Sequence, residues 1–417
     1  MEKTFIVDKI TLAHFGSFDL SANRYIDLFE KEDVGKIKIF IEANKYDQIK
    51  DIFLGINLYD KQKIKDKIEI HVFDFTVIDK VLFRLNFLIN RITLKLLRPV
   101  MFLRLQLLVK KFLAPEDKVW IGENDYDNHN LFHCCLERLL ACNFVVKNYK
   151  ETRFNKDYFE KKSFELSNAL IFPHAHYKDF FERLYGNKIF INNKLFYSDQ
   201  DQRSRYHYQI VNSLDVTKYS AKDGKIHIAI IAGVVACEAC SRSGNRYVIF
   251  NSILNLINCG FVVHLFIKDV IKSRLQPMAL SESIYHDLER NNQNFVMSFE
   301  PMVLGSRIYE DIVRCDFGYL HDDVGHKNLP LFEFQKINIP NRYYEYLVAD
   351  LIPIALKRST FCYQNVLIEE IGIVLEDLAE LNFINLDDKP RPKYVNDFPE
   401  VFLEAVMCPA FQSEKLK

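Results

Sequence analysis

Glycine is scarce in this chain, with 13 in 417 residues. A phosphate site built mainly from a glycine-rich loop is therefore not expected. Net charge is almost absent as well, at −1, so no global basic field draws nucleic acid to the protein. The nine cysteines are odd in number and scattered. Cys237 and Cys240 form a single C-x-x-C without a second pair at zinc-site spacing. A four-ligand zinc site needs two more ligands, so incidental or structural thiols are expected, with metal or redox use as the alternative. The pattern suits a reducing cytosol better than a disulfide framework. The N-terminus, MEKTFIVDKITLAHF, is too interrupted by charge for a signal peptide. No uninterrupted apolar run reaches the roughly 20 residues of a transmembrane helix.

What the chain does have is a globular balance of 49% hydrophobic and 27% charged residues, which argues against disorder in bulk. At roughly 100–200 residues per domain the length predicts two or three domains. The first half reads as an α/β unit. Strands are predicted in 4–14, KIKIFIEA, KIEIHVFDF, DKVWIGEND, FVVKNY and NALIFPHA, with helices between them, including one over NHNLFHCCLERLLACN. Residues 187–223 lack a clean period and read as the interdomain connection, with some ordered content. A second α/β unit begins at Lys225 with KIHIAIIAGVV, nearly continuous in apolar residues like a central parallel strand. Strands and helices alternate from there to a closing helix after Pro390.

One stretch departs from the even charge. Residues 81–113 carry Arg84, Arg91, Lys95, Arg98, Arg104, Lys110 and Lys111, and no acidic residue. Leu, Ile, Val and Phe fill the gaps at helical spacing, and Pro99 divides the run into two helices. Such a segment either lies at a membrane interface, cations on anionic headgroups, or forms a core helix pair with a solvated basic face.

The sharpest pattern lies in 311–376: DIVRCDFGYLHDD, then INIPNRYYEYLVADLIPIAL, then IEEIGIVLEDLAEL. Pro340-Asn341 suits a helix start, with Asn341 as cap. The free N–H groups and positive dipole end there suit a diphosphate. Arg342 and Glu345 share a helix face, with Tyr344, Leu347 and Val348 opposite. A carboxylate one turn into such a helix can accept two ribose hydroxyls; the bland alternative is an Arg342–Glu345 surface pair.

These segments resemble the nucleotide-sugar half of retaining GT-B glycosyltransferases, with their "aD-hydrophobic-G" strand and "P-N-K-aromatic-aromatic-E-Y" helix. The resemblance implies an α/β GT-B fold, two Rossmann-like domains facing across a cleft. Residues 1–200 would form the acceptor domain, 201–395 the donor domain, and 396–417 a helix crossing back. It implies Glu345 on the donor ribose, with Asn341, Arg342, Gly233, Arg246 (or Arg242) and Lys268 toward the diphosphate and Phe299 beside the base. EKKSFELSNALIFPHAHYKDFFERLYG resembles the end of the first domain, with Glu160 in its Glu position, and FGSFDLSANRYIDLF the first loop and helix. Gly16, Asp19 and Arg24 are then expected at the acceptor. Asp125 and Glu151 are the candidate catalytic residues, although Lys150-Glu151 stands where the family keeps His-Glu. Asp350 replaces the usual Gly after the helix, Pro353 falls one residue late, and Ile337 replaces the family's first Glu.

His174 and His176 would share a strand face as structural or cleft-lining groups, and His321-Asp322-Asp323 would either touch donor-sugar hydroxyls or end the strand. The expected reaction moves a sugar from a nucleotide-diphosphate donor to a hydroxyl of a saccharide or lipid-linked acceptor, with retention, in surface glycan synthesis. No cofactor and no metal are required, and no nucleic acid takes part. The location is cytoplasmic, with peripheral membrane contact through 81–113. A nucleotide-sugar epimerase of the same fold and a non-catalytic binding subunit are the alternatives.

Overall fold

The structure is a computed structural model. It describes residues 5–7, 37–42, 68–73, 101–115, 117–121, 133–134, 136–148, 158–173, 175–190, 193–197, 213–232, 249–267, 278–298, 307–321, 341–357 and 372–383. The chain divides into two compact units. Described residues up to Tyr197 belong to the first, and those from Ser213 onward to the second.

The first unit is built on a parallel sheet of β1 (Phe5–Val7), β2 (Ile37–Glu42), β3 (Ile68–Phe73), β4 (Lys118–Ile121), β5 (Phe144–Asn148), β6 (Ala169–Phe172) and β7 (Lys194–Tyr197). Its order is β3-β2-β1-β4-β5-β6-β7, so the chain reverses its direction of growth between β1 and β4. Three helices are described: α1 (Met101–Phe112), α2 (Tyr158–Leu166) and α3 (Ala175–Tyr185). The aromatic abundance is used here. Phe164 of α2 meets Phe181 of α3 at 4.9 Å between centroids, and Phe172, Tyr177 and Phe190 complete a buried cluster. Fully burying each such ring contributes about 1.5–3 kcal/mol.

At the N-terminal ends of β4 and β5 the polar groups are closed on one another. Asp117 pairs with Lys38 at 3.0 Å and accepts from the Ala114 amide, while Asn143 Nδ2 donates to the carbonyls of Ala114 and Asp117. Those ties explain one difference from the sequence reading. Of the stretch predicted helical, residues 133–134 are helical, whereas 136–143 are turns and bends, with i→i+3 bonds such as Leu136 to His133 and Asn143 to Leu140 beside one i→i+4 bond from Leu140 to Leu136. Its ends are held by distant partners, His133 by Ser163 Oγ at 2.7 Å and Asn143 by the Ala114–Asp117 loop. The region 187–223 has the ordered content expected within it. It holds a 3₁₀ turn (Asn187–Phe190), the edge strand β7 and a four-residue helix α4 (Ser220–Asp223). A four-residue strand is too short to show period-two alternation. His176 lies exposed on α3, not on a strand, because β6 ends at Phe172.

The second unit has β8 (His227–Ala232), β9 (Val262–Ile267), β10 (Phe295–Ser298), β11 (Phe317–Tyr319), β12 (Ile352–Leu356) and β13 (Ile373–Leu375), all parallel, in the order β10-β9-β8-β11-β12-β13. This is the doubly wound order, with its switch point between β8 and β11, and open α/β sheets bind ligands outside the strand C-termini there. The helices are α5 (Phe250–Asn258), α6 (Met278–Asn291), α7 (Arg307–Val313) and α8 (Asn341–Val348). Strand β8 is buried throughout, because Ile228, Ile230 and Ala232 pack against α5 while Ala229 and Ile231 pack against α7 and α8.

Two helices of this unit end alike. After α5 the amide of Gly260 bonds Ile257 O and that of Phe261 bonds Leu256 O, with Gly260 at φ 89°. After α8 the amide of Asp350 bonds Leu347 O and that of Leu351 bonds Tyr346 O, with Asp350 at φ 55°. Both are Schellman caps, which need a left-handed residue. Asp350 thus takes the left-handed place that Gly260 fills after α5, with a residue type that tolerates it at some cost.

Candidate functional site

The switch point of the second sheet is organised by α8. Strands β8 and β11 pair only through Phe317↔Ile228 and Gly318↔Ala229. Just beyond, the Tyr346 hydroxyl bridges them, accepting from the Ile231 amide at 3.0 Å and donating to Tyr319 O at 3.1 Å. Its ring lies directly over Gly318, where any Cβ would be driven into Cγ, Cδ1 and Cδ2 of the ring. The glycine in D-F-G-Y and the last tyrosine in Y-Y-E-Y are therefore one fitted pair. Burial raises the Tyr346 pKa, so the phenol stays protonated across the physiological range.

Helix α8 begins at Asn341, as the sequence predicts. Its burial differs from the expected two-faced pattern, because every residue from Tyr343 to Ala349 is buried. Glu345 is 2% exposed, which removes the surface-pair alternative. Its carboxylate lies near enough to the Tyr346 hydroxyl to help raise that pKa. Arg342 is half-buried and donates from Nη1 to Nε2 of His321, the residue that leaves β11 two positions after Tyr319. Burial first and the Arg342 charge second hold His321 well below the usual imidazole range. The imidazole is neutral, and Nε2 is its acceptor because a guanidinium only donates. Arg342, Glu345, Tyr346 and His321 thus converge at the C-terminal ends of β8 and β11.

Among the described residues, the opposite end of the same sheet carries the denser polar set. Asp316 accepts from Ser220 Oγ at 2.6 Å and from the His227 amide at 2.9 Å. Its place in the "aD-hydrophobic-G" pattern is therefore structural. His227 Nδ1 meets His264 Nε2 at 2.8 Å, and His227 Nε2 meets both Asp223 oxygens at 3.1 Å. Burial lowers the His264 pKa to about 4. Tyr219 stacks on His264 and donates to Asp311, and Lys218 Nζ donates to the carbonyls of Val313 and Cys315. An open cavity of about 360 Å³ adjoins this set, lined by Tyr219, His264, Phe266 and Val296 among others.

In the first unit, Glu160 is buried and accepts from the Tyr185 hydroxyl at 2.6 Å. The C-terminal part of the basic segment is helix α1, docked through buried Val109 and through Phe112, whose ring stacks on His71 at 3.8 Å. Leu107, Lys110 and Lys111 are exposed on one stripe.

Of the predicted site, Asp125, Glu151, Gly233, Arg242, Arg246, Lys268, Phe299, Gly16, Asp19, Arg24 and Ile337 lie outside the described residues, as do Cys237, Cys240, residues 81–100 and the closing helix. Among the described residues no group of three or more His, Cys, Asp or Glu side chains could hold a metal ion. No described helix is long and apolar enough to cross a membrane.

No family model matches the sequence, and no curated protein matches it. Solved structures do match in fold. The trehalose-6-phosphate synthase of Burkholderia multivorans aligns with a TM-score of 0.53 at 10% identity, covering 98% of this chain and 92% of that one. An E. coli trehalose-6-phosphate structure bound with UDP-2-fluoro glucose gives 0.51 at 11% identity, covering 98% and 92%. The UDP-GlcNAc 2-epimerase of Methanocaldococcus jannaschii gives 0.50 at 12% identity, covering 96% and 97%. The fold is α/β, of the GT-B glycosyltransferase type.

Proposed function

We propose that this protein is a glycosyltransferase that takes a sugar from a nucleotide-diphosphate donor and passes it to a hydroxyl of a saccharide or lipid-linked acceptor, with retention. The observation that carries this reading is the convergence of buried Glu345 with Arg342 at the switch point of a doubly wound sheet. Glu345 accepts the ribose hydroxyls. Arg342 and the start of α8 at Asn341 face the diphosphate, joined by Gly233, Arg246 and Lys268, and Phe299 stacks on the base. Fixed positive charge on the leaving diphosphate makes a metal or other cofactor unnecessary, so EDTA should leave the rate unchanged. Gly16, Asp19 and Arg24 of residues 1–200 hold the acceptor, Asp125 and Glu151 serve the chemistry there, and 201–395 form the donor domain. The names of the structural neighbours support UDP as the first nucleotide to try.

The finer reading is surface glycan synthesis on a membrane-borne acceptor at the inner face of the membrane. The exposed stripe of Leu107, Lys110 and Lys111 supports it. Failure to bind anionic liposomes at low salt, with Lys110→Gln/Lys111→Gln activity intact, would remove it.

The epimerase-like neighbour favours one second reading, an enzyme that converts the donor sugar with no acceptor. A binder that consumes no donor is the non-catalytic alternative. Thermal shift with UDP, GDP, ADP and CMP tests the nucleotide reading, since a ligand of the folded state raises the melting temperature by mass action. Glu345→Ala should abolish the rise; an undiminished rise rules out the ribose assignment. Donor consumption with and without acceptor separates transferase, epimerase and binder.

A further inference from the structure

Arg342 has a planar guanidinium with five N–H donors, of which Nη1 is committed to His321. His321 is itself held firmly. It is 1% exposed and follows Leu320, whose amide donates to Ile354 O at 2.8 Å and so extends β11 onto β12. This partner of Arg342 lies two residues beyond Tyr319, whose carbonyl accepts from the Tyr346 hydroxyl that also accepts from the Ile231 amide, so the cation is held beside the C-terminal end of β11, where the chain adjoins β8.

The chemistry of the partner matters. A carboxylate in place of His321 would aim the guanidinium equally well, but it would cancel the cation and repel an anionic ligand. An uncharged imidazole aims it and leaves the charge whole.

We propose that His321 is a positioning residue for the leaving diphosphate: its imidazole holds the Arg342 guanidinium over the switch point with its charge uncancelled, so that the site selects nucleoside diphosphates over monophosphates. This rests on the nucleotide-sugar reading above.

Calorimetric titration of the full chain with UDP and UMP, GDP and GMP, and ADP and AMP tests it. The wild-type protein should prefer the diphosphate of its nucleotide. His321→Gln, a neutral acceptor, should keep that preference within about threefold. His321→Glu and Arg342→Gln should each reduce it about tenfold or more. Gln and Glu are nearly isosteric, so a merely structural role would leave their diphosphate-to-monophosphate ratios equal. His321→Leu should behave like His321→Glu; if it does not fold, the Gln and Glu pair still decides. A wild-type preference that survives in His321→Glu overturns the role of His321 and leaves the nucleotide reading standing. No binding of any of the six nucleotides by the wild-type protein overturns both.

Discussion

The two ends of the second sheet differ in a way that polar density alone would misjudge. At the N-terminal end, Asp316, Ser220, His227, His264 and Asp223 are closed on one another by hydrogen bonds, while Tyr219 bonds Asp311 and stacks on His264, and Lys218 bonds two backbone carbonyls. At the C-terminal end the described polar side chains are fewer, and they sit on the first turns of α8 and just beyond β11. The first arrangement satisfies groups that burial would otherwise leave costly. The second has a cation and a buried carboxylate on the helix that packs at a switch point, where open α/β sheets take ligands. The first unit repeats the closed pattern at its N-terminal end with Asp117, Lys38 and Asn143. On this account, changes at the N-terminal end cost stability and spare nucleotide binding, and changes at the C-terminal end do the reverse or both.

The largest expected effect is a pH dependence at the N-terminal end. His264 sits at about 4 in the folded protein against an ordinary value near 6.5, so the unfolded chain binds the proton more readily. Its contribution is complete above about pH 6.5 and falls away as pH drops toward about 4, up to about 3 kcal/mol in all. His264→Gln should flatten that part of the stability-versus-pH curve from denaturant melts; an unchanged slope contradicts it. Asp316→Ala comes next. It strands the His227 amide and should cost about 2–3 kcal/mol in urea unfolding, with nucleotide affinity unaffected.

At the other end, Gly318→Ala forces the Tyr346 ring off its seat and should cost about 1–3 kcal/mol while also weakening nucleotide binding. Loss of stability with affinity intact would show that the two sites are uncoupled. Tyr346→Phe orphans the Ile231 amide and should cost about 1–2 kcal/mol. The smallest change is a gain. Asp350→Gly removes the cost of a side chain at φ 55° and should stabilise by about 0.5–1 kcal/mol, seen as a higher melting temperature.

Most of the strands were legible in the sequence because buried parallel strands such as HIAIIA and VVHLFI are continuous apolar runs, whereas their order in the sheet was not. Strand β7 was not, since KLFY is short and lies at an edge. The helix with Glu345 and Arg342 could be read from its motif, but the burial of its other faces could not. Three tyrosines look amphipathic by type, and only tertiary packing hides them. His321 could be seen only as a strand terminus, because its bond to Arg342 joins residues 21 apart in sequence. The Gly318–Tyr346 fit carried a signal that went unused: a lone glycine inside a strand often marks close approach by another group. Asp350 looked like a defect in the motif and instead retains the left-handed cap.

The most direct test sets the two ends against each other in one measurement, the UDP dissociation constant of Glu345→Gln beside that of Asp316→Asn. Binding should weaken at least about tenfold in the first and keep wild-type affinity in the second. Wild-type affinity in Glu345→Gln, or a loss confined to Asp316→Asn, would contradict the placement of the nucleotide site at the C-terminal end of the sheet.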